Sequence, residues 1–456
     1  MNVRMICFVI SFALSLICPV GGHAQTDEGT SFSLDQALTF PEKIIRLDLS
    51  NQHIVILDPK MGALQRLSHL NLDHNLIEQL PDEIGQLTSL QSLFVNNNKL
   101  TRLSTQIAKL PRLLWLQAGH NNIIHLPKTL GSLRGLELLH LQDNQISELP
   151  EEVGQLTSLL EIDLGHNLLR LLPKTFENLL RLKTLTLSGN KLEEFGFDIA
   201  LLTRLEWLQM NDNLFKELPQ GITALHHLLE IEFADNKLEE FPTPLLALTQ
   251  LEMINLSGNQ IKTIPDDIAR MENLRVLNLQ DNLITKLPAS IAKLTKLQEL
   301  KLEGNHFSDE EIKKITSLFP ENMVKWQRVY TSLASALQAG AQKVDKLFLN
   351  HHGLTSFPAD ILELFHLQEL WLGNNAIVKV PPQIHRLNQL HKLDLSHNKL
   401  RDLPAELVEL TQLKWLNLVG NEFSDKEKQK IRALFTETEV IFEVLPDNPN
   451  KKIDDI

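Results

Sequence analysis

Histidine and aspartate recur at a fixed spacing that would suit a shared metal ion. His120, Asp143 and His166 stand 23 residues apart, and each directly precedes an asparagine. Imidazole nitrogens and carboxylate oxygens are common ligands of zinc and related metals. The same position elsewhere holds residues such as Asn97 and Gly189, and a tight turn explains all of these residue types. The sequence therefore favours a turn at this position and predicts neither a metal site nor a cofactor.

Catalytic motifs are missing from the chain. We find no GxSxG, GxGxxG, P-loop or HExxH pattern. The two cysteines, Cys7 and Cys18, lie in an apolar N-terminal run, so the mature chain is expected to lack a thiol nucleophile, a thiolate metal site and a redox pair. We expect a protein that is not an enzyme.

The N-terminus has the layout of a secretory signal peptide. Arg4 precedes the apolar run ICFVISFALSLICPV, and the small residues at Gly22 and Ala24 suit cleavage before Gln25. We expect residues 1–24 to be removed and the mature protein to be exported, with periplasm, cell surface and medium left open. No later segment resembles a membrane span.

One frame of 23 residues repeats along almost the whole mature chain. It reads LxLxxNxLxxLPxxIxxLxxL, as in LNLDHNLIEQLPDEIGQLTSLQSL from Leu70. The LxL part alternates like a strand, the Asn can satisfy buried backbone groups of adjacent coils, and the LP part opens a return segment. The asparagine positions of the repeat are 75, 98, 121, 144, 167, 190, 213, 236, 259, 282 and 305, then 375, 398 and 421.

This frame resembles the leucine-rich repeat family, in particular the 23-residue class of Ras-suppressor-like, Scribble-like and many bacterial exported proteins. The resemblance implies an α/β solenoid: a horseshoe with a parallel β-sheet on its concave face and short helical or irregular segments on its convex side. Stacked coils share one core, because a single coil cannot bury its own leucines.

The frame breaks twice, and both breaks predict caps. GNHFSDEEIKKITSLF from Gly304 and GNEFSDKEKQKIRALF from Gly420 agree at 10 of 16 positions. Each has a capping-box spacing from serine to glutamate, which predicts cap helices over 308–319 and 424–435. Amphipathic segments from Ser33 and Ser332 precede the first coil of each run and read as N-terminal caps. We expect two tandem arrays, of twelve coils over 25–326 and four coils over 327–445, with a disordered tail over 446–456.

Charge divides unevenly between the expected arrays. Residues 326–456 carry 15 Lys+Arg and 17 Asp+Glu, whereas the rest of the mature chain carries 28 and 40. The overall formal charge of −13 argues against nucleic acid as a partner.

The outward positions of the concave face lie four and six residues before each Asn, and four of the five tryptophans fall there. Aromatic side chains on this face are either strand-stabilising pairs or anchors for a partner. Acidic pairs on the same face are either a solvated surface or a site for basic groups. The candidate partner-binding residues are Phe94, Trp115, Leu138, His140, Glu161, Asp163, Trp207, Gln209, Glu230, Glu232, Phe348, Trp371 and Trp415.

The sequence thus predicts an exported, non-enzymatic protein that binds a protein or peptide on its concave faces, with basic groups of the partner as candidate contacts of the acidic pairs. Two alternatives stay open at this point. The aromatics can stack on sugar rings in a surface adhesin, or the array can be an architectural spacer without a specific ligand.

Overall fold

A computed structural model describes residues 29–320, 323–325, 329–330, 332–340 and 344–443. Three expected features lie outside the described residues. They are the signal peptide with Cys7 and Cys18, the end at Trp326 of the short strand that the sequence predicts after the first cap helix, and the tail over 446–456. Within the described residues, no helix is long and apolar enough to cross a membrane.

Short parallel strands form two sheets whose strand order follows the chain. The first sheet consists of fourteen strands: β1 Thr30–Ser31, β2 Arg46–Asp48, β3 His69–Asn71, β4 Ser92–Phe94, β5 Trp115–Gln117, β6 Leu138–His140, β7 Glu161–Asp163, β8 Thr184–Thr186, β9 Trp207–Gln209, β10 Glu230–Glu232, β11 Met253–Asn255, β12 Val276–Asn278, β13 Glu299–Lys301 and β14 Val324–Lys325. The second consists of six: β15 Val329–Tyr330, β16 Lys346–Phe348, β17 Glu369–Trp371, β18 Lys392–Asp394, β19 Trp415–Asn417 and β20 Glu439–Ile441.

The 23-residue repeat sets the register of these strands. Trp115 lies opposite Leu138 and Leu116 opposite Leu139, so equivalent positions of successive coils are neighbours. The middle residue of each coil strand points into the core, as Leu116 does with no exposed surface. Its two flanking residues point to the other side of the sheet, which we call the concave face. The sequence therefore placed both the core and the concave face correctly.

The return segments are 3-10 turns rather than α-helices. They span Pro41–Lys43, Pro59–Ala63, Asp82–Gln86, Thr105–Lys109, Lys128–Ser132, Glu151–Gln155, Lys174–Asn178, Ile199–Leu201, Ile222–Ala224, Thr243–Ala247, Asp266–Arg270, Ala289–Lys293, Ala359–Glu363, Pro382–Arg386 and Ala405–Glu409. Proline or a polar residue usually precedes them, because the first N–H groups of a helical turn have no partner within it.

The repeat asparagines connect adjacent coils, as predicted. In Asn121, the side-chain oxygen accepts a bond from Leu100 N at 2.9 Å. The side-chain nitrogen donates to the carbonyl oxygens of Val95 at 3.0 Å and Ala118 at 3.1 Å. Asn144 and Asn167 repeat the pattern one and two coils further on. This ladder satisfies buried backbone groups that the short strands leave unpaired.

The cap helices occupy the predicted places with slightly shorter bounds. They run over Asp309–Leu318 and Asp425–Leu434, and the hydroxyls of Ser308 and Ser424 accept bonds from the backbone N–H three residues later. The N-terminal cap helices run over Leu34–Thr39 and Leu333–Ala339. The sequence also predicts an apolar face on each C-terminal cap helix, with Leu318 in the first and Leu434 in the second, and this expectation is wrong in part. Leu318 and Leu434 are 36% and 46% exposed, whereas Ile315 and Ile431 carry the buried contact of each C-terminal cap.

The chain divides into two compact units. One unit runs to Leu277 and includes Lys286–Leu297; the other includes Asn278–Thr285 and the chain from Gln298. The expected division into arrays at residue 326 falls between the two sheets and stays a prediction.

Candidate functional site

All thirteen candidate residues lie on the concave face, at the first or third position of a coil strand. They occupy strands β4 to β7, β9 and β10 of the first sheet and β16, β17 and β19 of the second. The structure differs from expectation in how much of each side chain is accessible, and in which neighbours it contacts.

Trp115 forms a surface patch with Phe94, Leu138 and His140 on adjacent strands. The side chains of this patch are less exposed than their outward-facing positions predict. Trp115 is half-buried, but Leu138 beside it is only 7% exposed and Phe94 only 6%. In register, Leu138 lies between Trp115 and Glu161, and Phe94 lies between Asn71 and Gln117, so side chains of adjacent strands flank both. Phe94 and Leu138 therefore offer little surface of their own to a partner. Trp115 is the accessible aromatic group of this patch.

A hydrogen bond joins this patch to the first acidic pair. His140 Nε2 lies 2.7 Å from Glu161 Oε1, across strands β6 and β7. Burial raises the pKa of the Asp163 carboxyl, and a hydrogen bond from the backbone N–H of Gly165 at 2.9 Å opposes that rise. The patch thus holds its acidic groups in fixed positions.

A second indole lies beside the other acidic pair. Trp207 is half-buried in register with Glu230, and the indole N–H contacts the Glu230 carboxyl. Burial raises the pKa of Glu230, and the nearby charge of Glu232 adds to the rise. One oxygen of Glu230, Oε2, is buried and accepts no hydrogen bond within the described residues.

Glu232, in contrast, is held by two amides. Asn211 Nδ2 donates to its Oε2 at 2.7 Å, and Gln209 Nε2 donates to its Oε1 at 3.2 Å. Gln209 was predicted as a binding residue, and the structure gives it this orienting contact. The acidic pair is therefore asymmetric: both carboxyl oxygens of Glu232 accept hydrogen bonds, whereas the buried Oε2 of Glu230 accepts none within the described residues.

Trp115 and Trp207 belong to one column of the first sheet. The register runs from Trp115 through Leu138, Glu161 and Thr184 to Trp207. Four strand spacings separate the two indoles, which is about 19 Å. In the part of the chain that the structure describes, neither indole stacks on another aromatic ring. Self-packing of aromatics therefore does not explain these two side chains.

Self-packing does describe the second sheet. Phe348 and Trp371, which are adjacent in register, stack with ring centroids 5.5 Å apart and planes 12° from parallel. Trp415 also reaches Trp371, at 5.4 Å and 39°, although it lies two strands away. The Trp371 indole therefore contacts one ring from β16 and one from β19. The three side chains form one rigid cluster, the aromatic stack.

Charged residues that the sequence did not single out fix this stack. Glu369 Oε2 accepts a bond from the Trp371 indole N–H at 3.2 Å. Its Oε1 lies 3.3 Å from Lys346 Nζ and 3.4 Å from Lys392 Nζ. The signal was present in the sequence, since these three residues occupy one column of consecutive coils with alternating charge.

The column before each Asn is a turn position, as predicted. Its non-glycine residues, including His120, Asp143 and His166, all have φ between 49° and 58°. His120 Nδ1 lies 3.4 Å from Asp143 Oδ2, and both side chains are exposed. Among the described residues, no group of three potential ligands could hold a metal ion. Left-handed backbone geometry explains the Asn, Asp, His and Gly of this column.

The parallel sheets, 3-10 turns and asparagine ladder define a leucine-rich repeat protein. Family models described as leucine-rich repeat match residues 134–192, 203–261, 249–307 and 365–423, and a leucine-rich repeat region model matches residues 46–140. The structure of a leucine-rich repeat protein from Leptospira interrogans is 30% identical, with a TM-score of 0.56 over 91% of this chain and 100% of that chain. The chain belongs to the leucine-rich repeat family.

Two plant receptors share the fold at lower identity. A plant peptide hormone receptor solved in complex with its ligand has 22% identity and a TM-score of 0.54, over 91% of this chain and 72% of that chain. The Arabidopsis receptor kinase HAESA was solved with the peptide hormone IDA and a co-receptor. It has 23% identity and a TM-score of 0.53, over 86% of this chain and 68% of that chain. No curated protein matches the sequence.

Proposed function

We propose that this protein is an exported, non-enzymatic binding protein that holds an extended protein or peptide segment on the concave face of its first sheet. The observation that carries the proposal is the pair of half-buried indoles, Trp115 and Trp207, which stack on no other ring among the described residues. Accessible aromatic side chains on a rigid surface are typical anchors of interfaces.

The path between the indoles suits a basic segment. Glu161 lies within the column that joins them, Asp163 beside it, and Glu230 directly after Trp207. An extended chain advances about 3.3 Å per residue, so about six residues cover the 19 Å between the anchors. A lysine or arginine facing Glu161 or Glu230 gains a charge-assisted bond, and apolar side chains contact the indoles.

Preorganisation is the mechanism of binding. Glu161 is paired with His140, and Glu232 with Gln209 and Asn211, so these groups are in place before a ligand arrives. A partner then loses little affinity to the ordering of side chains or loops on this protein. The peptide ligands named for the two plant receptors support a peptide partner, and the signal-like N-terminus supports export.

The aromatic stack of the second sheet is a poor site for a sugar ligand. Stacking of a sugar ring needs an open aromatic face, but Phe348 and Trp415 lie against Trp371 from both sides. We therefore assign the stack to stabilising the second sheet rather than to primary binding. A glycan-binding adhesin and a spacer without ligand become outcomes of the experiment below.

Peptide selection against the mature protein tests the proposal. Random 12-residue peptides displayed on phage are selected on the immobilised protein, and enriched sequences are synthesised and measured by calorimetry. We expect peptides with basic and large apolar residues. Loss of one anchoring indole commonly costs about 2 kcal/mol, which weakens binding about 30-fold. The double variant Trp115→Ala/Trp207→Ala is therefore expected to lose measurable binding.

The second sheet provides the matched control. Trp371→Ala/Trp415→Ala removes the same number of indoles, and we expect it to lower stability while peptide affinity stays within about twofold. Equal loss in both double variants contradicts the assignment to the first sheet. Failure to enrich any peptide, together with binding to an oligosaccharide array, supports the adhesin, and failure of both supports the spacer.

A further inference from the structure

Glu230 lies between two large apolar side chains in its column of the concave face. The register places Trp207 on one side of it, on β9, and Met253 on the other, on β11. Both neighbours are half-buried, as Glu230 itself is. Neither of the two flanking strands contains a lysine, an arginine or a histidine. The strands beside Glu230 therefore bring no cation to its carboxylate.

Other acidic residues around Glu230 have partners within the protein. They lie on β10 itself and on the segments that lead into β9 and β11. The nitrogen–oxygen distances are 2.7 Å for Lys183 with Glu206, 3.1 Å for Arg275 with Glu252, and 2.7 Å for Asn211 with Glu232. Among the described residues Glu230 takes part in no salt bridge, and its buried Oε2 accepts no hydrogen bond. Glu230 is therefore the carboxylate of this region that lacks a counter-charge.

The second sheet contains a similar carboxylate with its cations present. Glu369 is also the first residue of its strand, and its Oε2 accepts a bond from the indole N–H of Trp371. Lys346 and Lys392, the first residues of the two adjacent strands, bring their Nζ atoms to 3.3 and 3.4 Å from its Oε1. The chain thus shows within its own second sheet that alkylammonium groups neutralise a carboxylate at this strand position beside an indole.

We propose, building on the binding function above, that Glu230 binds the alkylammonium group of a lysine side chain in the bound segment and so determines its specificity. The lysine stem lies along the Trp207 ring, and the ammonium donates to the carboxyl. Access to the buried Oε2 requires a neighbour to move slightly, and Met253 suits this because its unbranched side chain is adaptable. Arginine fits less well, because the indole N–H already contacts this carboxyl and competes with a bidentate guanidinium.

Glu161, the first residue of β7, is not an equivalent site. Its Oε1 lies 2.7 Å from His140 Nε2, so a cation from a partner competes there with a contact that already exists. The lysine of the segment is therefore expected next to the residue that contacts Trp207. One strand spacing of about 4.8 Å corresponds to about one to two extended residues, which sets the separation of the two.

Titration of the mature protein with Nα-acetyl-lysine methylamide tests this site on its own. Nα-acetyl-norleucine methylamide is the matched probe, because it has the same stem without the ammonium. The indole N–H resonance of Trp207, assigned with Trp207→Phe, reports binding in 1H–15N spectra. We expect dissociation constants of about 1–10 mM, with the lysine probe at least about fivefold tighter than the norleucine probe. Nα-acetyl-arginine methylamide is expected to bind no tighter than the lysine probe.

Three variants separate a binding role from a structural one. Glu230→Gln is expected to weaken the lysine probe about tenfold and to leave the norleucine probe within about twofold. Glu161→Gln is the matched control, since Glu161 has the same strand position, and both probes should keep their affinity within about twofold. Met253→Lys copies the second sheet, so its own ammonium is expected to pair with Glu230 and to abolish the preference for the lysine probe.

Equal affinity for the lysine and norleucine probes, or a lysine preference that survives Glu230→Gln, overturns the assignment of Glu230. An unchanged preference in Met253→Lys does so as well. The peptide selection gives a separate result. Enriched peptides that bind without any lysine contradict the role of Glu230 and leave the binding function standing, whereas binding of the lysine probe without any enriched peptide does the reverse.

Discussion

The asparagine ladder gives a quantitative prediction for the variant Asn121→Ala. Asn121 is 7% exposed, and its side chain bonds to the backbone of two other coil segments. Its loss does not affect these partners equally. The carbonyl of Val95 still accepts a bond from Asn98, and the carbonyl of Ala118 still accepts one from Asn144.

The N–H of Leu100 has no such substitute. Among the described hydrogen bonds, the backbone N–H of Leu100 donates only to Asn121 Oδ1, and Leu100 is fully buried. One orphaned buried N–H costs about 1–3 kcal/mol, and the net loss of the donated bonds adds about 1 kcal/mol. We therefore expect Asn121→Ala to lower the free energy of unfolding by about 3 kcal/mol.

Urea unfolding and hydrogen exchange measure this effect together. The amide of Leu100 is expected to exchange faster than the amides of more distant coils, because opening starts at the broken rung. Asn122→Ala is the control: Asn122 is exposed, and its side chain accepts one long bond of 3.3 Å from Gln145. If Asn121→Ala and Asn122→Ala shift stability equally, or if Leu100 keeps its protection, the ladder argument is wrong.

Two further variants probe an acidic group and a cap. Burial raises the pKa of Glu230 in the folded protein, so ionisation disfavours folding as pH rises through the window between its ordinary and raised pKa. Glu230→Gln should therefore stabilise the protein by about 1 kcal/mol at pH 7 and by nothing below the ordinary pKa of glutamate. Urea unfolding midpoints measure this difference. A difference that stays constant across pH contradicts the assignment of the effect to the ionisation of Glu230. Ser424→Ala removes the bond to the N–H of Glu427 and should cost about 1 kcal/mol, with faster exchange over Asp425–Leu434; unchanged exchange there shows that the cap bond does not matter.

The sequence predicted the fold well because the repeat fixes geometry directly. A 23-residue period sets every neighbour across the sheet, so Trp115 had to lie beside Leu138, and Phe348 beside Trp371. The positions before each Asn had to be turns, since Asn, Asp, His and Gly alone alternate there. Both C-terminal cap helices followed from serine and glutamate at capping-box spacing.

The candidate site was less predictable. Strand alternation shows which side chains point to the concave face, but exposure depends on the size and rotamer of neighbours in two directions. Phe94 and Leu138 were expected at the surface and are covered. Glu369 was not singled out, because its role requires lysines from both adjacent strands and an indole from its own.

The sequence by itself determined the repeat, the register, the inward leucines, the asparagine ladder and the column that carries the tryptophans. These are properties of spacing, and spacing is read along the chain. Only the tertiary structure decided that Trp371 and Trp415 pack on each other while Trp115 and Trp207 contact no other ring in the described residues. The reason is physical: contact across two strands depends on side-chain length and direction in three dimensions, which a one-dimensional period does not contain.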